Sequence, residues 1–228
     1  SIDLNDTIGT IGLTVFHWAC FYGKTDVVKI FMENAEIYGI DLSAKNDTGC
    51  TAFQYAFNRN LDVFQLFMEN AAALNIDLNS QCAGGWTAFH MACRIGRTDV
   101  VKLFIENAAT LSIDLNIKDL KGKTAFHMAC EESHLDMVKI FMENAAALSI
   151  DLNSQSEYGW TAFHMASIAG HTDLVKCFIE NANALNIDLN VKSLKGKTAF
   201  HMACEKSHLD VVEIFLENAA ALNINLNV

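Results

Sequence analysis

Six threonines set the strongest constraint on this chain: Thr14, Thr51, Thr87, Thr124, Thr161 and Thr198 head the same short pattern and stand 37, 36, 37, 37 and 37 residues apart. A fixed spacing of this size means one supersecondary unit used repeatedly, each copy burying its apolar face on the next. Read from Thr124, the unit is T-A-F-H-M-A-C, a short polar turn, L-D-M-V-K-I-F-M-E-N-A-A-A-L, and then S-I-D-L-N with a glycine-containing loop. This predicts helix, turn, helix and hairpin. Thr124 suits the N-cap of the first helix, whose next turn presents Phe126, Met128, Ala129 and Cys130 as one apolar face. In the second helix Met137, Ile140, Phe141 and Leu148 share a face and Val138, Met142 and Ala145 extend it sideways, so two sides must be covered. Only neighbouring units can cover them.

Composition removes several classes of function. The net charge of -11 is spread along the chain, which lacks the basic footprint of a phosphate-backbone binder, so nucleic acid is not an expected partner. No apolar run reaches some 18 residues and the first residues carry no signal region, which predicts no membrane insertion. Seven cysteines is an odd number, and Cys20, Cys93, Cys130 and Cys204 share one helical slot, which fits small buried thiols in a reducing, cytoplasmic setting. Asn5-Asp6-Thr7 and Asn46-Asp47-Thr48 match the glycosylation pattern and are read as loop residues.

The unit resembles the ankyrin repeat, of about 33 residues with a T-P-L-H-x-A signature. T-A-F-H-M-A at Thr87, Thr124, Thr161 and Thr198, Gly170-His171, and I-D-L-N ending at Asn79, Asn116, Asn153 and Asn190 carry the resemblance. It implies an all-α repeat solenoid, an ankyrin-like stack of helix-turn-helix pairs joined by β-hairpin loops. The expected domain is a single one over residues 1–228, with repeats beginning near Gly12, Gly49, Gly85, Gly122, Gly159 and Gly196, cut from a longer array. Alanine, or Val15 in the first repeat, replaces the family's proline at the first helical position, which keeps helix propensity. The family's helix-ending glycine is replaced by Ala145 and its equivalents, with four residues inserted, so each second helix is predicted to be about one turn longer. The second repeat, with Phe53-Gln54-Tyr55-Ala56-Phe57 and one residue fewer around Asn58-Arg59-Asn60, is the irregular one.

His17 and Cys20, His90 and Cys93, His127 and Cys130, and His201 and Cys204 stand three apart, but two ligands per helix do not make a zinc site when neighbouring helices are roughly 8–10 Å apart. The resemblance places the first histidine of each pair in a hydrogen-bond network between hairpins, and His134, His171 and His208 in the inter-helix turn. A Cys–His nucleophile needs one distinguished copy with an orienting third group, and here the pair recurs. No enzyme activity, metal, cofactor or small-molecule substrate is therefore expected.

A residue identical in all copies is explained by stacking, whereas one that varies is not. Trp86 and Trp160 follow the hairpin glycine in repeats three and five, with Tyr158 beside the second, while Lys121-Gly122-Lys123 and Lys195-Gly196-Lys197 occupy repeats four and six after Leu120 and Leu194. Aromatic residues are common contact anchors. Trp86 and Trp160 packing on the neighbouring hairpin, and solvated lysines, are the plainer alternatives. The resemblance implies that hairpin tips and first helices share a concave face, giving a partner-binding row of Gln81, Trp86, Arg94, Ile95, Lys118, Lys121, Lys123, Glu131, Glu132, Tyr158, Trp160, Ile168, Lys192, Lys195, Lys197, Glu205 and Lys206. The same resemblance marks Asn79, Asn116, Asn153 and Asn190 as candidate sites of asparaginyl hydroxylation. Two readings follow: a scaffold that binds a partner protein, or a structural spacer within a larger multi-repeat protein.

Overall fold

The computed structural model describes residues 3–56 and 61–226. The first repeat holds α1 (Val15–Phe21), α2 (Thr25–Glu33) and the short α3 (Ala35–Tyr38). The second holds a 3-10 turn (Ala52–Tyr55) and α4 (Leu61–Asn70). The third to sixth hold α5 (Ala88–Arg94) with α6 (Thr98–Asn107), α7 (Ala125–Glu131) with α8 (Leu135–Leu148), α9 (Ala162–Ala169) with α10 (Thr172–Asn181), and α11 (Ala199–Glu205) with α12 (Leu209–Leu222). The expected six α-helical pairs thus become five and one pair opened by a 3-10 turn. The tighter corner expected at Asn58-Arg59-Asn60 lies outside the described residues. The chain divides into two compact units, Ser1–Ala92 with Asp99–Ile117, and Cys93–Thr98 with Lys118–Val228.

Each unit has a core of interleaved phenylalanines. In the first, Phe53 packs on Phe67 at 5.2 Å and on Phe104 at 5.9 Å. In the second, Phe126 packs on Phe141 at 5.3 Å and Phe178 at 5.8 Å, and Phe163 on Phe178 at 5.2 Å and Phe215 at 5.4 Å. The ring of one first helix therefore touches its own second helix and the next one, so neighbouring repeats share their apolar burial. Cys20, Cys93 and Cys130 are fully buried as expected, but Cys204, at the same slot of the last repeat, is exposed.

The lengthened second helix appears only in part. α8 and α12 run 14 residues, through Leu148 and Leu222, whereas α4, α6 and α10 end at Asn70, Asn107 and Asn181 and continue as turns. All six repeats nevertheless stop in the same way. A left-handed residue (Gly39, Asn75, Ser112, Ser149, Asn186 or Asn223) precedes an isoleucine whose N–H donates to the carbonyl five residues back at 2.8–3.0 Å, as in Ile150 to Ala145. This is the six-to-one bond of a Schellman cap. The carboxamide of the asparagine before it, as at Asn70, Asn107, Asn144 and Asn181, donates at 2.8 Å to the carbonyl four residues back and competes with the helical ladder. Thr110 and Asn183 further weaken the helix in repeats three and five. Repeats two and six share E-N-A-A-A-L-N yet differ, and nothing in the structure explains that difference.

The expected β-hairpins are turns rather than ladders: among the described residues only isolated bridges, Ile8 to Leu13 and Lys45 to Thr51, are present. Each of five fingers is closed by one N–H to carbonyl bond across five residues, such as Asp119 to Lys123 at 2.8 Å and Ser156 to Trp160 at 2.9 Å. Gly122 at the tip has φ +70, and a Cβ there would stand 2.7 Å from the backbone nitrogen of Glu157. Glycine is needed both for the angle and for the approach of the next finger.

Candidate functional site

At the root of each finger lies one polar rung. In the first unit the Thr14 hydroxyl caps α1 and meets His17 Nδ1 at 2.8 Å, the Thr14 N–H points at the same nitrogen at 3.3 Å, and His17 Nε2 lies 3.1 Å from the carbonyl of Cys50. In the second, His127 joins Thr124 to the carbonyl of Trp160 at 3.1 Å, and His164 joins Thr161 to that of Lys197 at 3.2 Å. A backbone N–H can only donate, so Nδ1 accepts and Nε2 carries the proton, an assignment that follows from the network. Burial disfavours the charged ring: it lowers the pKa of His17 and His164 and pushes that of His127 down to about 4, against smaller raising effects of the carbonyl contacts. These histidines are structural struts.

The irregular second repeat keeps the rung with another residue. Gln54 Oε1 accepts from the Thr51 N–H at 2.8 Å, while Nε2 donates to the carbonyls of Trp86 at 2.8 Å and Ser80 at 3.2 Å. An amide has the acceptor and donor that a neutral imidazole has. The turn histidines form a second ladder, with His134, His171 and His208 Nε2 donating to the carbonyls of Arg94, Glu131 and Ile168 at 3.2, 3.0 and 2.9 Å.

Asn79, Asn153 and Asn190 are half-buried clips. Asn153 donates to the carbonyl of Asn186 at 2.9 Å and accepts from the Asp188 N–H at 2.9 Å, and Asn79 does the same with Ser112 and Asp114. Asn116 is half-buried, and its N–H donates to the carboxylate of Asp114. In each hairpin the preceding aspartate accepts the asparagine N–H, which explains the D-x-N spacing.

The varied residues divide into exposed and engaged ones. In the second unit, Lys118, Lys121, Lys192, Lys195 and Lys206 are exposed, as are Arg94, Ile95, Glu131, Glu132, Tyr158 and Glu205. Trp160 and Ile168 are half-buried. Fingertips and first-helix ends share a surface within a repeat, because Lys123 Nζ reaches Glu131 Oε2 at 2.6 Å and Lys197 Nζ reaches Glu205 Oε2 at 2.6 Å. Four expected contact residues are therefore two ion pairs, and the Lys197 ammonium holds the Glu205 carboxyl below its ordinary range. In the first unit Gln81 is exposed and Trp86 half-buried.

Adjacent fingers of the second unit are linked tip to tip: the Glu157 N–H donates to Lys121 at 2.9 Å and the Leu194 N–H to Tyr158 at 3.0 Å. Lys118 Nζ donates to the Gln155 carbonyl at 2.9 Å, adding a side-chain link. This linkage puts Leu120 (73% exposed), Tyr158 (54%) and Leu194 (79%) on three adjoining fingertips, Tyr158 at the slot that Lys121 and Lys195 fill in the fingers on either side. Sequence reasoning noticed the two leucines only as neighbours of the lysines; their position just before a basic tip, in both even repeats, was the available signal. A second group that it missed lies in the first unit, where Trp18 stacks on Tyr22 at 5.3 Å and Phe21 meets Tyr22 at 5.2 Å and Tyr55 at 5.9 Å. Trp18 and Tyr55 occupy the methionine slot of the other repeats, and Phe21 and Tyr22 the slots of Arg94 and Ile95.

Among the described residues, no three His, Cys, Asp or Glu side chains gather as a metal site, and no helix is long and apolar enough to cross a membrane. The chain matches the family description "Ankyrin repeats (3 copies)" three times, over residues 1–81, 71–151 and 145–227. Among solved structures it is similar to the crystal structure of EF0377, an ankyrin repeat protein, with a TM-score of 0.76 and 21% identity over 95% of this chain and 99% of that one. At that identity the likeness speaks for the fold alone. No curated protein matches the chain.

Proposed function

This chain belongs to the ankyrin repeat family, and on that premise we propose that it is a non-catalytic protein-interaction scaffold that binds its partner through fingertips and first-helix ends. The family is generally one of protein–protein interaction modules. The observation that carries the reading is the exposure of Leu120, Tyr158 and Leu194 on three linked fingertips, with Lys121 and Lys195 next to the two leucines in sequence. Large apolar side chains held in solvent by a stiff backbone lose little entropy on binding and make effective anchors. The flanking ammonium groups favour a segment with acidic side chains among apolar ones. Net charge does not oppose this, because screening confines charge effects to roughly 8 Å at physiological salt. Trp160, Arg94, Ile95 and Ile168 extend the surface within the second unit, and Trp86 and Gln81 supply fingertip contacts in the first.

The test uses the chain as bait in lysate of its native cells, followed by affinity measurement with the captured protein. Replacing Leu120, Tyr158 and Leu194 together by Ala is expected to weaken binding by about 2 kcal/mol or more, roughly 30-fold in Kd, with an unchanged helical signal. Binding equal to the parent's would move the partner off these fingertips and favour the spacer reading.

A further inference from the structure

In four of the six described fingers that carry a tip glycine, the residue three before the glycine is an oxygen acceptor for the turn. Asn46 Oδ1 accepts from the N–H groups of Thr48 and Cys50 at 3.0 and 2.9 Å, and Asp119 Oδ1 from Lys121 and Lys123 at 2.9 and 2.8 Å. Ser156 and Ser193 Oγ accept from Trp160 and Lys197, both at 3.2 Å. Of the other two, the first has Gly9 and the third has Cys82 there, and sulfur is a weak acceptor, so turn chemistry gives no reason for the cysteine. The slot just after the glycine holds Leu13, Trp86, Lys123, Trp160 and Lys197 in five fingers and Cys50 in the sixth. The two finger cysteines fall on adjacent fingers.

Those two fingers are in contact. The Ala83 N–H donates to the Thr48 carbonyl at 2.8 Å, and a Cβ built on Gly49 would lie 3.6 Å from Cys82 Cα. The Cys50 thiol, 7% exposed, takes a hydrogen bond from the Thr48 hydroxyl at 3.5 Å, and the neighbouring Cys82 thiol adds to the effect of burial in raising its pKa. Cys82 is half-buried and reachable from solvent.

We propose that Cys50 and Cys82 are an oxidisable dithiol that closes to a reversible disulfide between the fingers of the second and third repeats when the protein meets a hydroperoxide or a small-molecule disulfide. With hydrogen peroxide, the Cys82 thiolate attacks the O–O bond: an S–O bond forms, the O–O bond breaks and one water leaves after protonation. The Cys50 sulfur then attacks the Cys82 sulfenic sulfur: S–S forms, S–O breaks and a second water leaves. Two thiols are oxidised by two electrons, and one peroxide is reduced to two waters. With a small disulfide, Cys82 forms the mixed disulfide and Cys50 expels the small thiol. The order follows from access, because burial raises the pKa of Cys50 and keeps it a thiol until an activated sulfur lies beside it. Cys20, Cys93 and Cys130 sit fully buried in helix faces, and Cys177 is buried against Met142. The link closes 82 − 50 = 32 residues of chain and ties two fingertips beside Trp86.

The experiment treats the folded, fully reduced chain with oxidised glutathione and, in parallel, with hydrogen peroxide, then alkylates free thiols and maps the peptides without reduction. The expected product is one cross-linked peptide pair, Cys50 with Cys82, two hydrogens lighter than the two free peptides and restored by dithiothreitol, with any adduct on the exposed Cys204 mapped to its own peptide. Closing the loop should raise Tm by on the order of 5 °C. Cys50→Ser should trap glutathione on Cys82, and Cys82→Ser should leave Cys50 reduced. The proposal is overturned if the parent chain shows glutathione or higher oxides on Cys82 with Cys50 still reduced, a disulfide between another pair, or no oxidation at either cysteine. The map of the parent decides even if a variant folds poorly.

Discussion

The roots of the fingers and their tips obey opposite rules. At the root, Thr124 and His127 are buried, each polar atom has a partner, and the arrangement recurs from repeat to repeat. At the tip, Leu120, Tyr158 and Leu194 are mostly in solvent and differ between odd and even repeats. Burial makes the root costly to alter, because an orphaned donor or acceptor loses its full desolvation energy, whereas a change at the tip costs the fold little. A stacked array thus separates its two tasks by depth, stability at the root and recognition at the tip.

The largest expected break in this contrast comes from acid. An unfolded histidine takes up a proton near pH 6.5, while His127 in the fold resists until about 4, and His17 and His164 are lowered too. Below pH 6.5 the unfolded state binds more protons, so stability is fully present above that value and falls as the pH drops towards 4. His127 alone corresponds to about 3 kcal/mol over this window. Urea titrations at pH 7, 6, 5 and 4 should show the midpoint dropping mainly between 6.5 and 4; a flat profile there would mean that the root histidines accept protons without loss.

A single substitution makes the same point more locally. His127→Ala leaves the Thr124 N–H and the Trp160 carbonyl without their ring partner and should cost about 2 kcal/mol, whereas His127→Gln should recover most of it, because Gln54 already fills that role in the second repeat. Equal losses in the two variants by chemical denaturation would show that ring packing, not hydrogen bonding, is what matters at the root.

Much of the root was legible in the sequence, since its residues recur and a recurrence is visible in one chain. The helix cap by threonine and the buried Phe ladder follow from identical slots, while the network role of His17 or His127 was what the ankyrin resemblance implied. The second repeat was harder: Gln54 looks like a loss of pattern until its amide is seen to offer the same acceptor and donor as a neutral imidazole. The length of α8 against α6 was not legible, because Asn144 and Asn107 make the same 2.8 Å bond to the carbonyl four residues back and only Thr110 marks α6 as the weaker helix. Tips are harder still. Lys123 and Glu131 are eight residues apart, with the Thr124 cap and nearly all of α7 between them, a separation that belongs to no helical or strand pattern, and only the fold brings them to 2.6 Å.

That pair provides the smallest effect and the sharpest boundary between root and tip. Lys123 is largely covered, with 17% of its side chain exposed, while Glu131 is 48% exposed, so the pair sits where the root ends and solvent begins. If it behaves as a tip, Lys123→Ala should change stability by no more than about 0.5 kcal/mol, and by less in high salt, since ion pairs open to water are offset by side-chain entropy and screening. If it behaves as a root, the loss would be several times larger and insensitive to salt. Measuring Lys123→Ala, Glu131→Ala and the double variant at low and high salt separates the two, because the cycle isolates the pair from the aliphatic stem of Lys123. A small, salt-screened coupling energy places the boundary between Thr124 and Lys123, one residue apart in sequence, and leaves Glu131 open to exchange Lys123 for a cationic group on a bound partner.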